Sequence, residues 1–212
     1  MKRLHERYVE LVRTGPSGLF SRGDLDRLDA HVEDGIVGAP LLAERGVRSL
    51  VDVGSGGGIP AIPLAVELAD TTVHLVESQR WKAEFLLTCA RALDLESRVR
   101  VHPCRAEEAV TAIGRELCDA GTARALAAPI VVAEYLAPLV RVGGLLLLWV
   151  TAAQAELPQV AANELLGLGA PVLHPAPTRL RSDGVLLEWP KVAECAPRIP
   201  RRVGVAARRP LA

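Results

Sequence analysis

Aromatic side chains are scarce in this sequence, with two Phe, two Tyr and three Trp among 212 residues. Any stacking on a planar ligand must therefore come from very few positions. Cysteine is equally sparse. Cys89, Cys104, Cys118 and Cys195 show no CxxC spacing and no nearby histidine cluster. That argues against a zinc site and leaves free, buried thiols as the expectation, with no metal. Long apolar runs are missing too. The longest candidate, Gly143 to Val150, suits a buried strand and is far short of the ~20 residues a membrane helix needs. The N-terminal stretch Met1 to Val12 is charged and helical in pattern, without an apolar signal core, so no membrane partner and a cytoplasmic location are expected. Repeats and low-complexity segments are absent as well.

Net charge is also lacking, at 25 basic against 25 acidic side chains, and half the residues are hydrophobic. Such a composition excludes a disordered chain and fits one globular α/β domain with a short extension. The balance conceals an asymmetry. From Lys191 onward there are six basic residues and one acid, Glu194, which leaves residues 1–190 with 19 basic and 24 acidic side chains. A basic tail on an acidic body points to a polyanionic partner reached by one part of the molecule, or else to a solvated tail with no partner.

Along the chain, residues 1–30 read as helical segments broken at Gly15 to Gly18, and a second helix from about Asp24 carries His31 and Asp34 one turn apart. Strands are expected at 49–53, 72–77, 99–103, near 121–126, at 144–150, near 172–174 and 185–189. Helices are expected at 59–69, 80–93, 106–117, 129–140 and 154–167. Alternating β and α units predict an α/β fold: a mostly parallel seven-stranded sheet with helices on both faces. The polar turn at Arg181 to Gly184 adds an antiparallel hairpin at one edge.

The informative segment is Val51 to Pro60. Glycines here let the chain turn sharply after the first strand and bring backbone close to a ligand, at the carboxyl end of the sheet where open α/β folds bind ligands. The dinucleotide fingerprint requires a small residue at the position of Ile59, and no Gly-Lys-Ser/Thr follows for a phosphate loop. The loop instead offers Gly54, Gly56 and Gly58, with Asp52 just upstream. These suit a ligand without pyrophosphate, whose sulfonium and amino groups tolerate a carboxylate. Glu77 follows 19 residues after Gly58, at the end of the second strand. A carboxylate there can accept hydrogen bonds from both ribose hydroxyls of an adenosine. The pattern points to S-adenosyl-L-methionine and a class I methyltransferase (Rossmann-like) fold; the alternative is a structural turn beside a surface glutamate.

Several stretches together resemble the RsmG (GidB) family, the bacterial 16S ribosomal RNA guanine-N7 methyltransferases. They are His31-Val-Glu-Asp34 and the residues following it, Asp52 to Leu64 with its paired Pro60 and Pro63, Glu77-Ser78 with Lys82 and Phe85-Leu86, Arg105-Ala106-Glu107, Thr122-Ala123-Arg124-Ala125, and the basic close from Pro197 to Leu211. The resemblance implies that Gly54, Ile59, Ala106, Glu107 and Arg124 contact the cofactor and that Glu77 holds the ribose, with Asp52, Gly56, Gly58 and Ser78 alongside. Glu107 is placed to face the adenine amine; otherwise Glu107 and Glu108 are a helix-start acid pair. Arg124 cannot be a base, but can orient the cofactor carboxylate or a phosphate, or be a solvated charge. His31 and Asp34 position a substrate or form a helix surface pair. Arg198, Arg201, Arg202, Arg208 and Arg209 are the expected RNA contacts. The expected divisions are an N-terminal helical extension (1–48), a methyltransferase domain (49–190) and a basic tail (191–212).

Two departures stand out. Gly15 to Asp24 replaces the family's Trp-Asn and Asn-Leu-Thr run, and Leu148-Trp149-Val150 replaces its Leu-Lys-Gly. The implied reaction is methylation of a guanosine N7 in 16S rRNA or the small ribosomal subunit. That nitrogen carries a lone pair and no proton, so alignment and desolvation suffice. The lack of a catalytic Cys or an Asn/Asp-Pro-Pro-aromatic motif agrees. Tyr135, Trp149 and Trp189 could stack on the base, although such residues more often fill cores. The rivals are an enzyme repurposed to N-methylate a small heteroaromatic molecule, and a non-catalytic RNA-binding protein with a vestigial pocket.

Overall fold

Short runs of β-branched and aliphatic residues, each buried on both faces, form the middle of a parallel sheet and need helices above and below them. The computed structural model describes residues 1–155 and 160–211 and shows that arrangement. Seven strands, β1 (Ser49–Val53), β2 (Thr72–Val76), β3 (Val99–His102), β4 (Cys118–Arg124), β5 (Val140–Thr151), β6 (Val172–Pro175) and β7 (Gly184–Pro190), lie in the order β3-β2-β1-β4-β5-β7-β6. The β1, β2, β3, β4 and β5 pairings are parallel, and β7 inserts antiparallel between β5 and β6. The expected edge hairpin is therefore present, with its second strand on the inside.

Ten helices flank the sheet among the described residues: α1 (Lys2–Thr14), α2 (Arg22–Leu25), α3 (Leu28–Ile36), α4 (Ala39–Glu44), α5 (Ala61–Glu67), α6 (Arg80–Ala92), α7 (Ala109–Ile113), α8 (Pro129–Leu136), α9 (Val160–Leu166) and α10 (Val205–Arg208). Alternation along the strands divides the core. Leu50, Val73 and Leu75 pack with Tyr8, Val9 and Val12 of α1, Leu28 of α3, Ile62 of α5 and Leu86 of α6. Val51, Val53 and Val76 face the other way, toward Val132 and Leu136 of α8, Leu166 of α9 and Ala206 of α10. The N-terminal helices thus share one hydrophobic core with the sheet, and so does the C-terminal α10.

Element boundaries differ from expectation where backbone geometry intervenes. The helix expected from Asp24 is split into α2 and α3. The one expected over 106–117 is a 3-10 turn at Ala106–Glu108 followed by α7, ended by Gly114 (φ +107) and Glu116 (φ +53). That reversal brings the Glu116 carboxylate to the Lys191 ammonium at 2.6 Å. Lys191, counted with the basic tail, is 1% exposed and also donates to the carbonyls of Ala137 and Val140. Part of the helix expected over 154–167 is α9, while 156–159 lie outside the described residues. Cys89, Cys118 and Cys195 are free and buried, and Cys104 is half-buried. Burial pushes the Cys89 and Cys118 thiols up to about 12, so both stay protonated. Among the described residues no helix is long and apolar enough to cross a membrane, and no group of three or more His, Cys, Asp or Glu is placed to hold a metal.

Candidate cofactor and acceptor site

Where β1 ends, the chain must reverse before α5, and three loop glycines take positive φ: Gly54 (+69), Gly56 (+54) and Gly58 (+108). The Gly54 and Ser55 N–H groups donate to the Val76 carbonyl at 2.9 and 3.1 Å, which ties the loop to the end of β2. Gly54 lines the cleft, and a Cβ there would come within 2.5 Å of the Leu126 side chain. Gly58 serves packing instead, wedged among Ile62, Leu86 and the Tyr8 hydroxyl. Tyr8 also donates to the Gly57 carbonyl at 2.7 Å, so α1 holds the loop from behind. Ile59, the residue that breaks the dinucleotide fingerprint, finds its small partner elsewhere: a Cβ on Gly35 of α3 would fall 2.9 Å from Ile59 Cγ2.

Glu77 closes the other side of the loop. Its carboxylate accepts from the backbone N–H of Gly56 (2.9 Å) and of Gln79 (2.7 Å), and is only 5% exposed. Each oxygen retains a lone pair for a hydroxyl. Gly54, Gly56, Ile59, Glu77 and Ser78 line one cleft of about 840 Å³, together with His31 and Arg124. A smaller cavity of about 170 Å³ shares Gly54, Ser78 and Leu126 with it and is walled by Ala106, Glu107 and Tyr135. Asp52 lines neither. It sits beneath the loop, accepts from Thr122 Oγ1 at 2.8 Å, and burial pushes its carboxyl up to about 7. Gly58 likewise lies outside both cavities.

His31, Asp34 and Arg124 are brought together, although α3 and β4 are 90 residues apart. Arg124 Nη1 donates to Asp34 Oδ2 at 2.7 Å and Nη2 to His31 Nδ1 at 2.6 Å. His31 Nε2 then donates to Asp24 Oδ1 at 3.2 Å. Burial, reinforced by the Arg124 charge, holds the His31 imidazole below the ordinary histidine range, which fits a neutral ring. Asp34 is fully buried and takes two further bonds on Oδ1, from Arg181 Nε (2.8 Å) and Thr178 Oγ1 (3.0 Å) of the β6–β7 turn. The exposed helix pair is therefore not what forms; His31 and Asp34 are the buried anchors of Arg124.

Several contributors carry no motif. Phe20 and Gln79 line the large cleft. Phe20 packs against Gly57 and lies 5.7 Å from the His31 ring. Thr178 and Arg181 stand on a turn whose polarity marked it only as a turn. Of the expected stacking residues, Trp149 and Trp189 are core, with Trp149 Nε1 donating to the Asp34 carbonyl at 2.7 Å, and Tyr135 lines the small cavity. The tail arginines do not all stay in solvent. Arg198, Arg202, Arg208 and Arg209 are exposed, whereas Arg201 pairs with the buried Glu134.

A buried acid hydrogen-bonded to a tight glycine loop and a side cavity lined by Glu107 are the features expected around an adenosine with a cationic side chain. With the sheet order and the antiparallel β7, they define a class I S-adenosylmethionine-dependent methyltransferase. Comparison with known proteins carries this further. Residues 2–166 match the GidB family model, described as rRNA small subunit methyltransferase G. The chain is 35% identical over 196 residues to the ribosomal RNA small subunit methyltransferase G of Syntrophomonas wolfei, covering 91% of each. It is 33% identical over 188 residues to that of Synechococcus elongatus, covering 86% of this chain and 77% of the relative. An O-methyltransferase from Bacillus cereus in complex with SAH has the same fold, with a TM-score of 0.63 at 16% identity over 89% of this chain and 91% of that one. This chain belongs to the rRNA small subunit methyltransferase G family.

Proposed function

We propose that the chain methylates N7 of a guanosine in 16S ribosomal RNA, on the small ribosomal subunit in the cytoplasm. The observation that carries this reading is the state of the groups around the cleft. Arg124 is held by Asp34 and His31, the His31 Nδ1 is already an acceptor, and Asp24 and Glu77 are both hydrogen-bonded. None of these is poised to take a proton, which suits a nucleophile that has none to lose.

When bound, S-adenosylmethionine supplies a methyl group on a positively charged sulfur. The chain's own residues do the rest. Glu77 receives the ribose hydroxyls, and the Gly54–Gly56 backbone lets the ligand approach closely. The Ala106 and Glu107 backbone and carboxylate face the base, and Arg124 aligns the cofactor carboxylate. His31 and Asp34 act through Arg124 by holding its plane. Phe20, beside His31 at the cleft, offers a flat apolar surface to an acceptor base, and Lys82 a nearby cation for phosphate.

The decisive assay is transfer of labelled methyl groups to small subunits from a strain lacking the modification. One methyl per subunit is expected, with transfer abolished in Glu77→Ala. Turnover on a small heterocycle with none on ribosomal RNA would sink the ribosomal acceptor and leave the enzyme class standing.

A further inference from the structure

The basic tail does something other than trail in solvent. Beyond β7 the chain is clamped by Arg115, whose guanidinium donates to the carbonyls of Ile199 (2.8 Å), Ala196 (2.9 Å) and Cys195 (3.1 Å). Arg201 then locks onto α8. Glu134, 1% exposed, accepts from Arg201 Nε at 2.8 Å and Nη2 at 2.5 Å, and from the Arg201 backbone N–H at 3.2 Å. Three residues on, the chain turns through Gly204 (φ +75), whose N–H donates to Glu107 Oε1 at 2.8 Å. Ala206 is fully buried, and Gly204 and Ala207 line the small cavity together with Ala106 and Glu107.

We propose that the C-terminal segment is a structural wall of the adenine cavity, and that Arg201 is a positioning residue that sets selection for adenine. This rests on the assignment of the small cavity to the cofactor base. The reasoning follows the hydrogen bonds. Gly204 occupies one oxygen of Glu107 and so fixes the carboxylate plane, leaving the second oxygen as an acceptor. Adenine presents an amine donor to such an acceptor, whereas hypoxanthine presents a carbonyl oxygen that a carboxylate repels. Arg201 holds Gly204 in place through Glu134, so the discrimination depends on a residue that never touches the ligand.

The test is calorimetric titration of the full chain with S-adenosylhomocysteine and with S-inosylhomocysteine. Wild type is expected to favour the adenine ligand strongly. Arg201→Ala should weaken adenosylhomocysteine about tenfold, the worth of one charge-assisted hydrogen bond, and barely change the inosine analogue, so that the ratio collapses. Arg201→Lys should recover part of the ratio, while Arg48→Ala, an exposed charge remote from the cavity, should leave it unchanged. Should Arg201→Ala fold poorly with Glu134 unpaired, Ala207→Trp provides the independent reading. Ala207 is exposed, so a bulky side chain there leaves the melting temperature intact and should block both ligands. Unchanged discrimination in Arg201→Ala, or unchanged binding in Ala207→Trp, overturns the proposal. Equal affinity of the wild type for the two ligands instead sinks the assignment of the cavity to adenine.

Discussion

Asp52 illustrates how one buried carboxyl is set by its surroundings. Burial is the largest influence on it, outweighing the hydrogen bond from Thr122, and carries it up to about 7 from an ordinary 3.8. A carboxyl whose folded value is raised adds stability that is complete below its unfolded value and is lost as pH rises through the folded one. Wild-type stability should therefore fall by up to about 1.4 kcal/mol per pH unit between about 4 and 7 through this group alone. Asp52→Asn keeps an acceptor for Thr122 and cannot ionise. Denaturant melts should show the variant more stable than wild type at pH 8, with the difference vanishing near pH 4. A difference independent of pH would show that Asp52 does not titrate in this range. At the same scale, Glu77 and Arg124 were legible because short-range spacing after a strand places a side chain at the sheet's carboxyl edge. Phe20, Thr178 and Arg181 were not, because only tertiary contacts give them a role, Phe20 with Gly57 and the other two with Asp34 more than a hundred residues away.

Between elements, the contact that fixes the site is α3 against the start of α5. Gly35 lets Ile59 and Pro60 approach α3, as a Cβ there would lie 2.9 Å from Ile59 Cγ2 and 3.4 Å from Pro60 Cα. Gly35→Val should destabilise by about 2 kcal/mol through overpacking, and Ile59→Ala should recover much of that loss in the double variant. Additive effects in a double-mutant cycle of denaturant melts would remove this contact from the account. The strands were legible because apolar runs bounded by Gly and polar residues have few alternatives. Helix ends were harder to read. The break at Gly114 and Glu116 follows from the pull of buried Lys191, 75 residues away, and no local periodicity records it. The division of the first helical stretch into α2 and α3 is likewise local geometry, with Ser21 capping the short first piece.

Across the whole molecule, the tail divides its arginines in a way that its composition did not record. Arg201 faces inward to Glu134, while Arg198, Arg202 and Arg209 remain exposed on the same segment. If these three contact phosphates, replacing them together with Ala should lower the salt dependence of RNA binding. The slope of log affinity against log salt should fall by roughly 2, since each phosphate contact contributes about 0.7 on single-stranded RNA. An unchanged slope would move the RNA footprint off the tail. The overall fold was readable from β and α alternation alone. The position of β7 inside the hairpin, and of the tail over a cavity, depends on how the finished layers stack.

The four-way junction at Asp34 has a consequence for how the chain is made. Arg124 is made 90 residues after this acid, and Thr178 and Arg181 only 144 and 147 residues after it. Until β7 emerges, the acid has one of its two arginines and β5 presents a bare edge. The domain therefore cannot close before β7 has been made.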